Sequence, residues 1–268
     1  MNICQMLLIF TLGLISSGAG EWVFASMNSA ENTYQRNLER TSLAFMSLET
    51  MFPDPRVRAL AAAAGKGDIV EIDSLISQGV NVNARGTQNA TPLFWAMGNI
   101  SGFTRLLELG ANPNVLYGDG GTIMHWTARA SDTTLLKVVL TYGGDPNLLG
   151  GDLERMTPPI FDAISGASRV MAINMLLDAG AQIDARNSFG STPLITAASI
   201  AKLDVVELLL TRGANYQLKN NQGVGALDYV ADYHGDMTPG SKGARLLEKV
   251  ENWFAEKGVL LTPKNLTP

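Results

Sequence analysis

The sequence predicts an all-α solenoid of about six helix-turn-helix units, joined by turn fingers and preceded by an extra helix. Three observations carry this expectation. Leucine-rich segments end on glycine at Gly79, Gly110, Gly143, Gly180 and Gly213, at intervals of 31, 33, 37 and 33 residues. A matching opening recurs as "TPLFWAM" (91–97), "TIMHWTA" (122–128), "PPIFDAI" (158–164), "TPLITAA" (192–198) and "GALDYVA" (225–231). Each unit is apolar on one helix face only, so a single pair cannot enclose a core and neighbours must stack. The composition agrees: 46% hydrophobic and 17% charged residues in a chain of 268 are globular values. With 25 acidic against 20 basic residues and no Lys/Arg block, nucleic acid is not an expected partner.

Residues 1–25 read as an export signal. "MLLIFTLGLISS" is apolar, and small residues allow cleavage after Ala25, with Val23 at −3, or near Ala19 and Gly20. Glu21 ends the run short of the ~20 apolar residues that a membrane helix needs. "MNICQ" carries no Lys or Arg, so the α-amine alone supplies positive charge at this end. Cys4, the sole cysteine, precedes the apolar run, whereas a lipid-anchored cysteine follows one. Cleavage would leave a chain without cysteine, suited to an oxidising envelope without disulfides or to the cytosol without redox liability. Met27 offers an alternative start for a cytosolic form. Residues 26–55 follow as a helix, with Tyr34, Leu38, Phe45, Leu48 and Phe52 at near-helical spacing. Asn28 and Glu31 could form its capping box, and Pro53 and Pro55 end it.

The repeats occupy 56–260, and 261–268 form a tail. The first unit, "RALAAAAGKGDIVEIDSLISQG" (58–79), lacks the Thr-Pro opening, as a terminal cap can. In later units Thr-Pro supplies an N-cap and a first-turn proline, and glycine closes the second helix in a left-handed conformation. The fourth finger, "NLLGGDLERMTPP" (147–159), is longer than its neighbours. The sixth unit carries "YHGDMTPGSKG" (233–243) between its helices and closes with "ARLLEKVENWFAEKG" (244–258). These strings resemble ankyrin repeats, whose pattern is a turn finger, T-P-L-H-x-A-A, a second helix and G-A-D-x-N. "FGSTPLITAASIAKLDVVELLLTRGAN" (189–215) matches nearly throughout, lacking mainly the histidine.

Chemistry is sparse. There is no H-E-x-x-H, paired C-x-x-C or G-x-S-x-G, so neither an enzyme nor a metal or cofactor site is expected. "GDGG" (118–121) lacks the Gly-Lys-Ser/Thr of a phosphate loop and reads as a tight turn. The carboxylates of "GGDLER" read as a solvated loop rather than a weak cation site. His234 falls in the polar insertion. His125 occupies the H of T-P-L-H, where the resemblance implies a side chain that bonds the turn and ties one repeat to the next.

The position after that histidine holds Ala62, Trp95, Trp126, Asp162, Thr196 and Tyr229, and the resemblance implies that this column lies near the binding groove. Two readings of the tryptophans stand: filling between helix layers, or the centre of a partner patch. In the second, Leu116 and Tyr117 join Trp95 to Trp126, and Arg85, Asp119, Arg155, Arg186 and Phe189 form the rim beside Asp162. The combination of signal and solenoid resembles the small envelope ankyrin proteins that act as immunity proteins against secreted phospholipase effectors of type VI secretion. That implies a periplasmic protein gripping such a lipase through repeats two to four. The alternative is an envelope scaffold or stress-protection protein without a toxin partner.

Overall fold

The computed structural model describes residues 46–151, 156–233, 237–259 and 261. The export signal, most of the expected leading helix, Arg155, His234 and nearly all of the tail lie outside the described residues. The described residues form thirteen α-helices with no named strand, divided into two compact units at Gly121/Thr122.

The first unit holds α1 (Leu48–Met51), α2 (Pro55–Lys66), α3 (Ile69–Ser77), α4 (Pro92–Trp95) and α5 (Ile100–Glu108). Of the leading helix, the described part is the single turn α1, capped by the Ser47 hydroxyl, which accepts from the Thr50 N–H. Asp54 starts α2 by accepting from the Arg56 N–H at 2.8 Å, with Pro55 in the first turn. The Thr91 hydroxyl caps α4 through the Phe94 N–H at 3.2 Å. This helix is one turn long because a 3-10 segment, Ala96–Gly98, leads directly to Asn99, whose side chain caps α5. Met51, Phe52, Leu60, Ile72, Leu93, Phe103 and Leu106 are buried together. The small residues Ala61 and Ala64 let α5 approach closely: a Cβ on Gly102 would stand 1.9 Å from the Ala64 carbonyl oxygen.

The second unit holds α6 (Ile123–Arg129), α7 (Thr134–Thr141), α8 (Pro159–Ser165), α9 (Arg169–Asp178), α10 (Pro193–Ser199), α11 (Leu203–Thr211), α12 (Ala226–Asp232) and α13 (Lys242–Glu256). An inner row, α6, α8, α10 and α12, packs neighbour to neighbour, and α9, α11 and α13 form a parallel outer row. Ile123, Met124, Ile160, Ile164, Leu194, Val206 and Leu209 fill the space between rows. Thr192 caps α10, while in the sixth unit, which lacks the threonine, Asp228 accepts from the Gly225 N–H at 2.8 Å instead. The expected closing glycines of both units adopt positive φ, from 82° at Gly143 to 91° at Gly180. The long α13 brings Trp253 and Phe254 edge-on to Tyr216, ring centres 5.7 and 5.6 Å away, and closes the end of the stack.

Gly102→Ala is expected to destabilise the chain by about 2 kcal/mol or more, since the new methyl meets backbone rather than a yielding side chain. Chemical denaturation followed by circular dichroism measures this. An unchanged midpoint would mean that α2 and α5 do not approach as described.

A candidate partner-binding face

His125 is buried, with 5% of its surface exposed. Its Nδ1 is 2.7 Å from the Thr122 hydroxyl and its Nε2 is 2.8 Å from the Thr157 carbonyl oxygen. A carbonyl only accepts, so Nε2 carries the hydrogen and donates it, while the hydroxyl faces Nδ1. Thr157 precedes α8, so the imidazole fastens one inner helix to the start of the next. With both ring nitrogens committed, it has no free position for proton transfer to a substrate.

The next residue in the register behaves differently. In the second unit Trp126 is 36% exposed, and Asp162, Thr196 and Tyr229 are half-buried. Their flanks His125, Thr127, Ala163, Ile195, Ala197 and Val230 are buried. One helix position points inward and the next reaches the surface, as a 3.6-residue period requires. Trp126 is therefore not interior filling. In the first unit Trp95 is half-buried, and its indole Cδ1 and Nε1 lie 2.9 Å from where a Gly65 Cβ would stand. The absent side chain at Gly65 makes the seat for this ring on α2.

Asp162 pairs with Arg129, whose side chain is 68% exposed against 14% for the aspartate. Arg129 was not singled out from the sequence. The signal was present in its place three residues after Trp126, on the same helix face.

Among the first unit's fingers, Arg85 and Leu116 are exposed and Asp119 is half-buried, its carboxylate accepting from the Gly121 N–H at 2.9 Å. Tyr117 departs from the expected joining surface. It is 3% exposed, its hydroxyl lies 3.2 Å from that of Thr91, and its ring meets Phe94 edge-on with centres 5.0 Å apart. Burial pushes its phenol well above the ordinary 10.0. Tyr117 thus props the finger from beneath, and Leu116 is what the finger presents. The preceding finger holds Gln88 and Asn89 in left-handed backbone, φ 52° and 61°. Asn89 stands where Gly120, Gly190 and Gly223 stand in other fingers, and its side-chain amide donates to the Leu116 carbonyl at 2.6 Å.

In the second unit Arg186 is exposed, yet its Nη1 donates to the carbonyls of Gly190 and Lys219 at 2.6 and 2.9 Å, clamping adjacent fingers. Phe189 at 55% and Leu149 at 49% are exposed apolar residues on fingers. No group of three metal-binding side chains occurs among the described residues, and none of their helices is long and apolar enough to cross a membrane.

A family model described as "Ankyrin repeats (many copies)" matches residues 160–210. The putative palmitoyltransferase ZDHHC13 of Danio rerio is 28% identical over 183 residues, covering 66% of this chain and 27% of its own length. Protein PhlB of Serratia liquefaciens is 31% identical over 144 residues, covering 53% of this chain and 62% of its own. The chain thus spans about a quarter of the first of these relatives and under two thirds of the second. Among solved structures, an ankyrin repeat domain from Acinetobacter baumannii has a TM-score of 0.61 at 22% identity, over 75% of this chain and 97% of that one. A chain from the complex of the Bdellovibrio bacteriovorus predatory endopeptidase Bd0816 with immunity protein Bd3460 has a TM-score of 0.56 at 23% identity, over 71% and 97%.

The raised phenol makes a pH prediction. A folded value above the unfolded one means that Tyr117 contributes stability fully below the ordinary 10.0 and loses it as pH climbs towards the folded value. Between about pH 9 and about pH 11.5 the parent is expected to lose more unfolding free energy than Tyr117→Phe, measured by urea denaturation. Parallel pH profiles would mean that this phenol is not buried.

Proposed function

We propose that this chain, an ankyrin-repeat solenoid, is a protein-binding module that acts as an exported immunity protein, neutralising a secreted phospholipase-type effector in the periplasm. The observation that carries the binding reading is the inner-helix column of the second unit, where Trp126 is 36% exposed between buried neighbours. An exposed indole on rigid helices, rimmed by Arg129, Asp162 and the fingers, has the composition of a hot spot. A tight inhibitor buries ~1,600 Å² or more, which several repeats together supply. The formal charge of −5 favours encounter with a basic partner.

Support for the finer reading is of two kinds. The apolar run at 6–17 fits export. Among the solved structures that share the fold is a chain from an endopeptidase–immunity protein complex. The partner there belongs to that complex, and the phospholipase class rests on the resemblance of signal plus solenoid. Binding rather than catalysis also fits the commitment of both His125 nitrogens to internal bonds.

The test is affinity capture from the native cell, followed by calorimetry and a toxicity-protection assay with the captured effector. Trp95→Ala with Trp126→Ala is expected to weaken binding at least about 100-fold, the scale of truncated interface tryptophans. Co-expression of the parent is expected to protect cells from the effector. Unchanged affinity would remove the tryptophans from the interface, and binding without protection would leave a scaffold.

A further inference from the structure

We propose that the Trp126–Arg129–Asp162 corner of the second unit reads a carboxylate: it selects a partner segment in which Asp or Glu stands beside a bulky apolar side chain. This rests on the binding reading above and adds the chemistry of what is bound. Trp126 and Arg129 lie three residues apart on α6 and share its exposed face. Asp162 reaches across from α8, and its Oδ1 accepts from Arg129 Nη2. The exposures are unequal, 68% for the arginine side chain and 14% for the aspartate. The corner therefore presents a cation whose counter-charge lies underneath it.

That arrangement leaves a specific vacancy in hydrogen bonding. Only Nη2 is engaged, so Nε and Nη1 remain to donate while the aspartate tethers one end of the fork. The nearest acid in sequence, Asp132, is occupied: it accepts from the Thr134 N–H at 2.9 Å and the Thr134 hydroxyl at 2.7 Å. Further along the inner row, Ser165, Thr196 and Ser199 are neutral, and the next acid on that face is Asp232 at the end of α12. Among the described residues no further acid bonds this guanidinium, so an incoming carboxylate meets it beside Asp162, and an apolar neighbour of that carboxylate lands on the indole. This sign of selection opposes the chain's bulk charge of −5, which by itself attracts bases.

The test pans a display library of random peptides of about 12 residues against the full chain, with affinities of synthetic peptides read by fluorescence anisotropy. Enriched peptides are expected to carry Asp or Glu within two positions of Leu, Ile, Phe or Trp. Arg129→Ala, or replacing the peptide's acid by its amide, is expected to weaken binding at least about 10-fold, with Arg129→Lys in between because one ammonium cannot hold Asp162 and reach outward at once. Basic or neutral enriched peptides, or peptides indifferent to Arg129→Ala, would overturn the proposal. Peptides that ignore Arg129→Ala but are lost with Trp126→Ala would sink the carboxylate reading and leave the binding face standing. Peptides indifferent to both, or none enriched, would remove both.

Discussion

No helix pair in this chain can bury its own apolar face, and everything else follows from that constraint. Stacking alone would leave the register loose, because Leu and Val contacts are non-directional. Directional bonds between neighbours supply what is missing. His125 reaches the Thr157 carbonyl, and the Asn83 side chain donates to the Gly110 carbonyl while accepting from the Asn112 N–H. Asn147 repeats the arrangement with Gly180 and Gln182, and Asp184 accepts from the Asn215 N–H. Each bond joins positions about one repeat apart, so an error in register would break several of them at once and leave the buried His125 ring without its carbonyl partner.

The same economy divides labour between adjacent residues. His125 turns inward and is consumed by fastening; Trp126 turns outward and is 36% exposed. On the fingers, Tyr117 is buried under its loop while Leu116 is exposed. Arg186 carries a charge at the surface but spends its hydrogen bonds on two backbone carbonyls. Residue type alone therefore does not separate contact from support. What separates them is how far the polar atoms are already satisfied within the fold: Arg186 spends one nitrogen on two backbone carbonyls, whereas Arg129 gives a single bond, to Asp162.

Much of the architecture is legible in the sequence. Glycine spacing, Thr-Pro openings and one-sided helices are local signals, and they correctly marked the helix pairs and their closing residues. Legibility failed where a side chain's fate depends on a neighbour distant in sequence. Tyr117 looked like surface because finger residues usually are, but its burial depends on Phe94 and Thr91, and no periodicity within the finger encodes that. The strained pair Gln88 and Asn89 could be suspected only by aligning Asn89 with the glycines of other fingers. The pairing of Arg129 with Asp162 crosses between helices and becomes visible only when α6 and α8 are side by side.

The central claim is that the surface column of the inner helices, and not the outer row, is where a partner sits. Hydrogen–deuterium exchange of the full chain, with and without its captured partner, tests this most directly. The account predicts added protection over 123–129 and 159–165 and at the adjoining fingers, with the outer helices α9 and α11 unchanged. Protection confined to α9 and α11, with α6 and α8 unaffected, would contradict it.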